Sequence, residues 1–219
     1  MALIDQRTRE EVARRLQTLA TPVLLRLRLA GRAGADGDGC ATCAESRELV
    51  ETLVELAPDR LRLELVEADP GADGLPQIEV SQPGQPPRLV FQGLPSGFEF
   101  ATLIDALERV GGAGSGFSPA ASQRIQGLDH DVEVTVYVTP SCPYCPSAAS
   151  LANRMALASD RVRARTVEAN EFPELSRRHG VRGVPHTVVN GGASFVGALP
   201  EEHFVERVLA LASTAQVSA

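Results

Sequence analysis

The sequence has no long apolar run. None of its uncharged apolar stretches approaches the roughly 20 residues that a helix needs to cross a bilayer. Residues 1–11 carry charges where a secretory signal peptide needs an apolar segment. These two absences argue against a membrane role and predict a cytoplasmic protein.

Positive charge is also scarce. The chain has 21 Lys and Arg residues against 28 Asp and Glu residues, which gives a formal net charge of -7. Proteins that bind nucleic acid neutralise rows of phosphates with clustered cations, and the arginines here do not form such a cluster. We therefore expect no nucleic acid partner.

Cysteine is rare, but its placement is informative. The 4 cysteines form two Cys-x-x-Cys pairs, Cys40 with Cys43 and Cys142 with Cys145. Permanent structural disulfides are not expected in a reducing compartment. Catalysis, redox sensing and metal binding remain as roles for these cysteines.

The surroundings of the two pairs repeat along the chain. An alternating, strand-like segment precedes each pair, at 22–29 and at 132–138. Apolar residues recur at helical spacing after each pair, so each pair is predicted to open a helix. This internal repeat indicates two units of the same fold.

The repeat continues to the end of each half. Second strands are predicted at 61–66 and 162–167, and a proline, Pro76 or Pro185, then precedes a short β-rich run. Hairpins follow, with Pro83-Gly84 suited to a type II turn and Asn190-Gly191 to a type I′ turn. Amphipathic helices at 99–110 and 201–211 close the two halves.

The predicted boundary between the units lies near residue 118. Residues 111–116 are mostly glycine, which predicts a flexible linker. A short helix at 119–126 is predicted to start the second unit, and the capping-box pattern Thr8-Arg-Glu-Glu11 to start the first. The predicted domains are therefore 1–117 and 118–219.

Cysteines three residues apart at a helix start share one face, so a disulfide between them needs little backbone movement. Unpaired amides and the helix dipole at that position lower a thiol pKa, and Pro143 suits a first turn that does not need its N–H. Cys142 is the predicted nucleophile, and Cys145 is predicted to resolve the mixed disulfide. No metal or organic cofactor is needed.

The order of elements and three motifs resemble the tandem protein disulfide oxidoreductases, which are also described as glutaredoxin-like. The matching motifs are Val138-Thr-Pro-Ser-Cys-Pro-Tyr-Cys-Pro146, Gly93-Leu-Pro-Ser-Gly-Phe-Glu-Phe100 and Gly183-Val-Pro185. The second half also resembles the N-terminal tandem module of the flavoprotein that reduces alkyl hydroperoxide peroxidases. The resemblance covers almost the whole chain.

This resemblance implies an α/β fold of two thioredoxin-like units, each with a mixed four-stranded sheet flanked by helices. It implies protein disulfide substrates, a mixed-disulfide mechanism and, as a partner, a thioredoxin-reductase-like flavoprotein or a peroxidase. It also implies cis peptides before Pro76 and Pro185 in loops that face the cysteines. The expected substrate-binding residues are Pro185, Val184, Tyr144, Pro143 and Pro76, although Tyr144 fits a solvent-facing position equally well.

The sequence departs from the family pattern in three places. Residues 69–74 replace the second helix that 171–179 supplies in the other half, and a glycine-rich stretch, 31–39, precedes Cys40. Val136 stands where thioredoxins have a buried acid. The C-terminal site is therefore expected to use substrate or water for proton transfer.

Several alternatives stay open from the residues alone. The pairs could bind zinc. Structural zinc pairs are usually separated by about 15 to 20 residues, whereas these two pairs are about a hundred residues apart. Cys40 and Cys43 are candidate catalytic residues of a second, supporting site, but they could also be inert. The protein could instead be an electron relay dedicated to one peroxidase or reductase, or a thioredoxin-fold binding module without catalysis.

Overall fold

The computed structural model of the chain describes residues 4–30, 40–69 and 72–215. The glycine-rich stretch 31–39 lies outside the described residues. Residues 70 and 71 also lie outside them; they belong to the segment 69–74, which is predicted to replace the second helix of the first half. None of the helices in the described part of the chain is long and apolar enough to span a membrane.

Eight strands and seven α-helices make up the described fold. The strands are β1 Val23–Ala30, β2 Leu61–Ala68, β3 Gln77–Ser81, β4 Leu89–Gln92, β5 Val132–Val138, β6 Val162–Glu168, β7 His186–Val189 and β8 Ser194–Val196. The helices are α1 Gln6–Leu16, α2 Cys43–Leu56, α3 Phe98–Glu108, α4 Pro119–Gln126, α5 Cys145–Ala158, α6 Pro173–Arg178 and α7 Glu201–Ala215.

All eight strands belong to one sheet, in the order β2-β1-β3-β4-β6-β5-β7-β8. The two halves join where β4 pairs in parallel with β6, from Leu89 opposite Ala164 to Gln92 opposite Val167. The mixed α/β fold predicted from the sequence is confirmed. The prediction did not include the fusion of two four-stranded sheets into one.

Strand direction brings the two cysteine pairs to the same edge of the sheet. β1 and β4 are each antiparallel to β3, and β4, β6 and β5 are mutually parallel neighbours. β1 and β5 therefore run in the same direction, and each is followed by a Cys-x-x-Cys motif. Their carboxyl ends lie at one edge.

Most of the helices cover one face of the sheet. Every second residue of β1 is buried, beginning with Val23, as expected for a strand with one covered face. The main core runs through both halves and includes α1, α2, α3, α5 and α7. A smaller cluster of Tyr137, Val167 and Val188 lies on the opposite face, where Leu175 of α6 packs against it.

The structure corrects the predicted start of α1. The helix begins at Gln6, and its N-cap is Asp5, whose carboxylate accepts hydrogen bonds from the Thr8 backbone N–H (2.8 Å) and hydroxyl (3.1 Å). Asp is as good an N-cap as Ser or Thr. Thr8, the predicted cap, is therefore inside the first turn.

The predicted flexible linker is also wrong in part. Arg109–Ala113 forms a π-helical turn after α3, and Gly111 in it is buried. The Gly111 carbonyl accepts hydrogen bonds from the backbone N–H groups of Ala20 (2.8 Å) and Thr21 (3.0 Å). A Cβ on Gly111 would lie 2.7 Å from the Leu19 side chain, so glycine here allows close packing.

Candidate active site

The C-terminal cysteine pair lies between β5 and α5. Cys142 and Cys145 form a disulfide with their Cα atoms 5.5 Å apart, within the usual range. The Cys142 N–H donates to the Thr139 carbonyl at 3.1 Å, and α5 begins at Cys145. Cys142 is 8% exposed and Cys145 is fully buried, so Cys142 is the more accessible residue of the pair.

Each half places a cis-proline beside its cysteine pair. The peptides Leu75–Pro76 and Val184–Pro185 are both cis. His186, which follows Pro185, pairs with Tyr137 near the end of β5, and Gln77, which follows Pro76, pairs with Arg28 near the end of β1. These registers bring both prolines to the sheet edge that the cysteines occupy.

The two proline loops are held in the same way. The Pro185 carbonyl accepts a hydrogen bond from the Gly197 N–H at 2.8 Å, and the Pro76 carbonyl accepts one from the Gly93 N–H at 2.9 Å. Both prolines are buried, and Val184 is half-buried. The repeated contact fixes each loop against the return strand of its own hairpin.

Two exposed aromatic side chains lie near the C-terminal pair. Tyr144, between the two cysteines, is 70% exposed, and its neighbour Pro143 is also exposed. Phe98 is 48% exposed, and its backbone N–H donates to the Pro140 carbonyl at 3.0 Å. Phe98 comes from the first half, so that half contributes surface next to the second-half disulfide.

Helices α3 and α5 run side by side in the same direction. Contacts link their starts, where Phe98 meets Pro140, and their middles, where the Ser150 hydroxyl donates to Asp105 at 2.7 Å. Glu99 stands second in α3 and Cys145 first in α5. This parallel packing places the start of α3, with Glu99, beside the loop that leads from β5 to Cys142.

Glu99 is a buried carboxyl group without a partner. It is 2% exposed, and neither carboxyl oxygen makes a hydrogen bond to any of the described residues. It lines a small cavity with Val138 and Thr166, directly before the cysteine loop. Burial is the larger influence and raises the pKa of Glu99 from 4.5 to about 7, while the nearby Thr102 hydroxyl acts in the opposite direction.

Glu99 was not predicted from the sequence. The strand before the cysteines has Val136, which is fully buried, at the position of the thioredoxin acid, so no protein acid was expected at this site. Glu99 belongs instead to a helix of the other half. A signal was available, because Glu99 stands between Phe98 and Phe100 at the start of an apolar helix.

The N-terminal pair has the same local geometry. Cys40 and Cys43 form a disulfide with a Cα–Cα distance of 5.5 Å, and α2 begins at Cys43. Thr42, between them, donates its hydroxyl hydrogen to Glu171 at 2.5 Å. Glu171 belongs to the second half, so this disulfide lies at the junction of the two halves.

The sheet order argues against one zinc ion shared by the two pairs. β1 and β5 are separated by four strand spacings, or about 19 Å at 4.7–4.9 Å each. Four thiolates around one zinc must all lie about 2.3 Å from the metal. The two pairs are therefore separate centres.

Known proteins share the fold of this chain. Residues 132–210 match the thioredoxin domain family. The structure resembles that of a protein disulfide oxidoreductase from Aeropyrum pernix, with a TM-score of 0.83, 26% identity and coverage of 96% of this chain and 94% of that one. It also has the fold of the NTD_N/C domain of alkyl hydroperoxide reductase AhpF from Enterococcus faecalis, with a TM-score of 0.82, 20% identity and coverage of 94% and 99%.

Sequence similarity to curated proteins includes the same kind of reductase subunit. The chain is 28% identical over 193 residues to the F subunit of alkyl hydroperoxide reductase from Xanthomonas campestris pv. phaseoli, a match over 88% of this chain and 36% of the relative. It is 29% identical over 191 residues to the Escherichia coli K12 protein of that name, over 86% and 34%. The chain thus spans about a third of the length of these relatives.

The predicted resemblance to tandem thioredoxin-fold protein disulfide oxidoreductases is confirmed by these comparisons. The predicted enzyme class, a thiol–disulfide oxidoreductase, is confirmed by the similarity to such an enzyme together with the two Cys-x-x-Cys centres.

Proposed function

We propose that this thioredoxin-fold thiol–disulfide oxidoreductase reduces protein disulfides in the cytoplasm through its C-terminal pair. The observation that carries the proposal is the combination of Cys142, the more exposed cysteine of the pair, a fully buried Cys145 and the cis-Pro185 loop at one end of β5. The dithiol supplies both electrons, so the reaction requires no metal or organic cofactor in this chain.

The first step is attack by Cys142. Its thiolate, favoured at the start of α5 by the helix dipole, attacks one sulfur of the substrate disulfide. A mixed disulfide forms, and the other substrate sulfur leaves as a thiolate that takes up a proton. The exposed side chains of Tyr144 and Phe98 lie where a substrate chain would contact the protein around this sulfur.

The second step belongs to Cys145. Its thiol must lose a proton before it attacks Cys142 and releases the second substrate thiolate. Glu99 is the proton acceptor in this proposal, because a pKa of about 7 allows it to exchange protons near neutral pH. The products are the Cys142–Cys145 disulfide and a reduced substrate.

The cis-proline loop supplies the binding site for the substrate backbone. Pro185 is fixed by the Gly197 N–H, and the half-buried Val184 precedes it at the same edge. An extended substrate segment would pair with backbone groups of this loop by main-chain hydrogen bonds, which are a general means of peptide recognition. Pro76 has the corresponding position beside Cys40 and Cys43.

The partner that restores the dithiol is proposed to be a flavoprotein. The curated relatives belong to alkyl hydroperoxide reductase, and this chain matches about a third of each. We therefore propose that the chain carries electrons from a flavoprotein to a peroxidase as well as to protein disulfides. The balance between these two roles depends on which partner the C-terminal centre recognises.

Trapping of the mixed disulfide tests the proposal. Cys145→Ser should accumulate a covalent adduct between Cys142 and a protein substrate, because the second step is blocked. Cys142→Ser should form no adduct at Cys145 and should have no turnover. Full turnover by Cys142→Ser would contradict the proposed roles of the two cysteines.

The same trap discriminates between general reduction and a dedicated relay. Purified flavoprotein and peroxidase candidates are offered to the Cys145→Ser chain together with insulin, and adducts are identified by mass spectrometry. Adducts with insulin and other disulfide proteins support general exchange. Adducts with one candidate alone support a relay.

A further inference from the structure

Thr42 uses its hydroxyl across the junction between the two halves. Thr42 is the N-cap residue of α2, and its side chain makes no capping hydrogen bond to that helix. Threonine is usually chosen at an N-cap for that bond. Here the hydroxyl donates to Glu171 instead, at 2.5 Å, so the turn between Cys40 and Cys43 is tied to the second half.

The Glu171 carboxylate is held on several sides. Its other oxygen accepts a hydrogen bond from the Leu94 N–H at 2.8 Å, and its own N–H donates to Glu168 at 2.6 Å. Gly93, with φ +92°, leaves room for this carboxylate, because a Cβ there would lie 3.0 Å from the Glu171 oxygen. These contacts fix a carboxylate beside the N-terminal disulfide.

Glu171 forms no ion pair within the described part of the chain, although it shares a surface cleft with Arg165 and Arg178. Arg165 donates instead to Gln92 at 3.1 Å and to Glu133 at 3.3 Å.

The carboxyl groups around the two disulfide centres differ in charge. Glu99, which lies towards the C-terminal centre, is buried and its pKa is raised to about 7, so it is partly protonated at neutral pH. The first turn of α2 contains Glu45, and Glu171 adds a second carboxylate from outside. The first turn of α5 contains no acidic residue, and within the described residues no side-chain hydrogen bond reaches Tyr144 between its cysteines.

We infer that Glu171 is a positioning residue that makes the Cys40–Cys43 centre the more reducing of the two. Reduction of a disulfide takes up two electrons and two protons, or one proton when one sulfur stays a thiolate. A stabilised thiolate favours the reduced form and gives an oxidising centre. A fixed carboxylate disfavours the thiolate at the start of α2 and so favours the disulfide.

The inference assigns the two centres an order, and it rests on the proposed function only in assuming that both pairs exchange electrons with thiols. With the lower potential, the N-terminal dithiol is the electron donor and the C-terminal disulfide is the acceptor. The strands that precede the two centres, β1 and β5, are four strand spacings apart in the sheet, and the transfer between the centres is proposed to go through a second chain or a carrier thiol.

The experiment measures the potential of each centre in the full chain. Cys142→Ser/Cys145→Ser leaves only the N-terminal pair, and Cys40→Ser/Cys43→Ser leaves only the C-terminal pair. Each chain is equilibrated at pH 7 with reduced and oxidised glutathione, and the reduced fraction is read from the mass added by an alkylating agent. We expect the N-terminal centre to have the lower potential.

Glu171→Gln keeps the size of the side chain and removes its charge. It should shift the N-terminal equilibrium about tenfold towards the dithiol, which is about 30 mV for a two-electron couple. The ratio of dithiol to disulfide at the C-terminal centre should stay within twofold of its original value. Glu174→Gln is the matched control, because Glu174 is an exposed carboxylate of α6 that pairs with Arg177.

The inference would be overturned if the N-terminal centre were as oxidising as the C-terminal centre, or more oxidising. This comparison uses no Glu171 variant, so a folding defect in Glu171→Gln would not affect it. A shift of less than twofold in Glu171→Gln, or an equal shift at both centres, would also overturn it. Insulin reduction by the unmodified chain tests the proposed function separately, since the potentials are measured with glutathione alone.

Discussion

The residue that most influences the proposed chemistry, apart from the cysteines, is Glu99. Its carboxyl group is 2% exposed and has no hydrogen-bond partner among the described residues. A group in such surroundings keeps its proton more easily than in water, and the pKa of Glu99 rises to about 7. Buried groups with perturbed pKa values are concentrated at functional sites.

Glu99→Gln should slow the second half of the reaction. The variant keeps the shape of the side chain but accepts no proton, and general base catalysis contributes roughly 100-fold or more. We expect the mixed disulfide between Cys142 and substrate to resolve about 100-fold more slowly, measured by quenched-flow alkylation. Glu206→Gln, which changes an exposed carboxylate on α7, should resolve at the original rate, and an equal effect of both variants would remove Glu99 from the mechanism.

The same variant should alter how stability depends on pH. The folded protein binds the Glu99 proton more tightly than the unfolded chain, so stability is fully present below about pH 4.5 and is lost as pH rises to about 7. At about 1.4 kcal/mol per pKa unit, the loss is roughly 3 kcal/mol. Urea unfolding at pH 4.5 and pH 8 should show a smaller fall in stability for Glu99→Gln than for the parent.

At the residue scale, the cysteines and the prolines could be predicted from the sequence, but Glu99 could not. Cys142, Cys145 and Pro185 stand in a local motif that occurs in a similar form in both halves, so their positions could be inferred from spacing. Glu99 reaches the site only because α3 packs beside α5. A contact between residues more than 40 positions apart leaves no local pattern.

At the scale of elements, the start of α3 determines how the first half meets the second-half disulfide. Gly97 precedes the helix with φ +57°, a conformation that glycine adopts without strain. A Cβ on Gly97 would collide with the carbonyl oxygen of Pro140. Glycine therefore allows the Phe98 N–H to reach that carbonyl and brings Glu99 into place.

Gly97→Ala should separate α3 from the cysteine loop. The collision involves backbone atoms, so α3 must move, and we expect a loss of at least about 1 kcal/mol in the free energy of unfolding and a slower reduction of insulin. Gly84→Ala is the matched control. Gly84 also has positive φ, at +80°, but a Cβ there would meet nothing within 4 Å, so this variant should lose stability and keep its activity per folded molecule.

Elements were predicted well where local chemistry determines them. The helix at 119–126 is found at Pro119–Gln126, with Ser118 as its N-cap, and Asn190 and Gly191 both have the positive φ of a type I′ turn. The glycine-rich segment after α3 was predicted less well. Its buried π-turn depends on packing against Leu19 and Ala20, which composition does not encode.

At the scale of the whole molecule, the two halves share one sheet and one main core. The repeat in the sequence was sufficient to predict two units of one fold. It could not predict that β4 and β6 pair, because β4 has only four residues, Leu89–Gln92, and the apolar pattern of so short a run does not show what it packs against. The boundary between residues 117 and 118 stays a prediction.

The fused sheet has a functional consequence for the proposed C-terminal site. Glu99 and Phe98 come from the first half, while both working cysteines come from the second. The second half alone would therefore have the cysteines and the cis-proline loop but neither the acid nor the added aromatic surface. On this account the first half supports the reaction even when its own disulfide is absent.

The measurement that tests this account most directly is dithiothreitol-driven reduction of insulin by three full-length chains. They are the parent, Cys40→Ser/Cys43→Ser and Cys142→Ser/Cys145→Ser. We predict that the parent and the first variant reduce insulin and that the second variant is inactive, because the C-terminal pair is the working site. Activity in the chain without Cys142 and Cys145, or inactivity of the parent, would contradict the account.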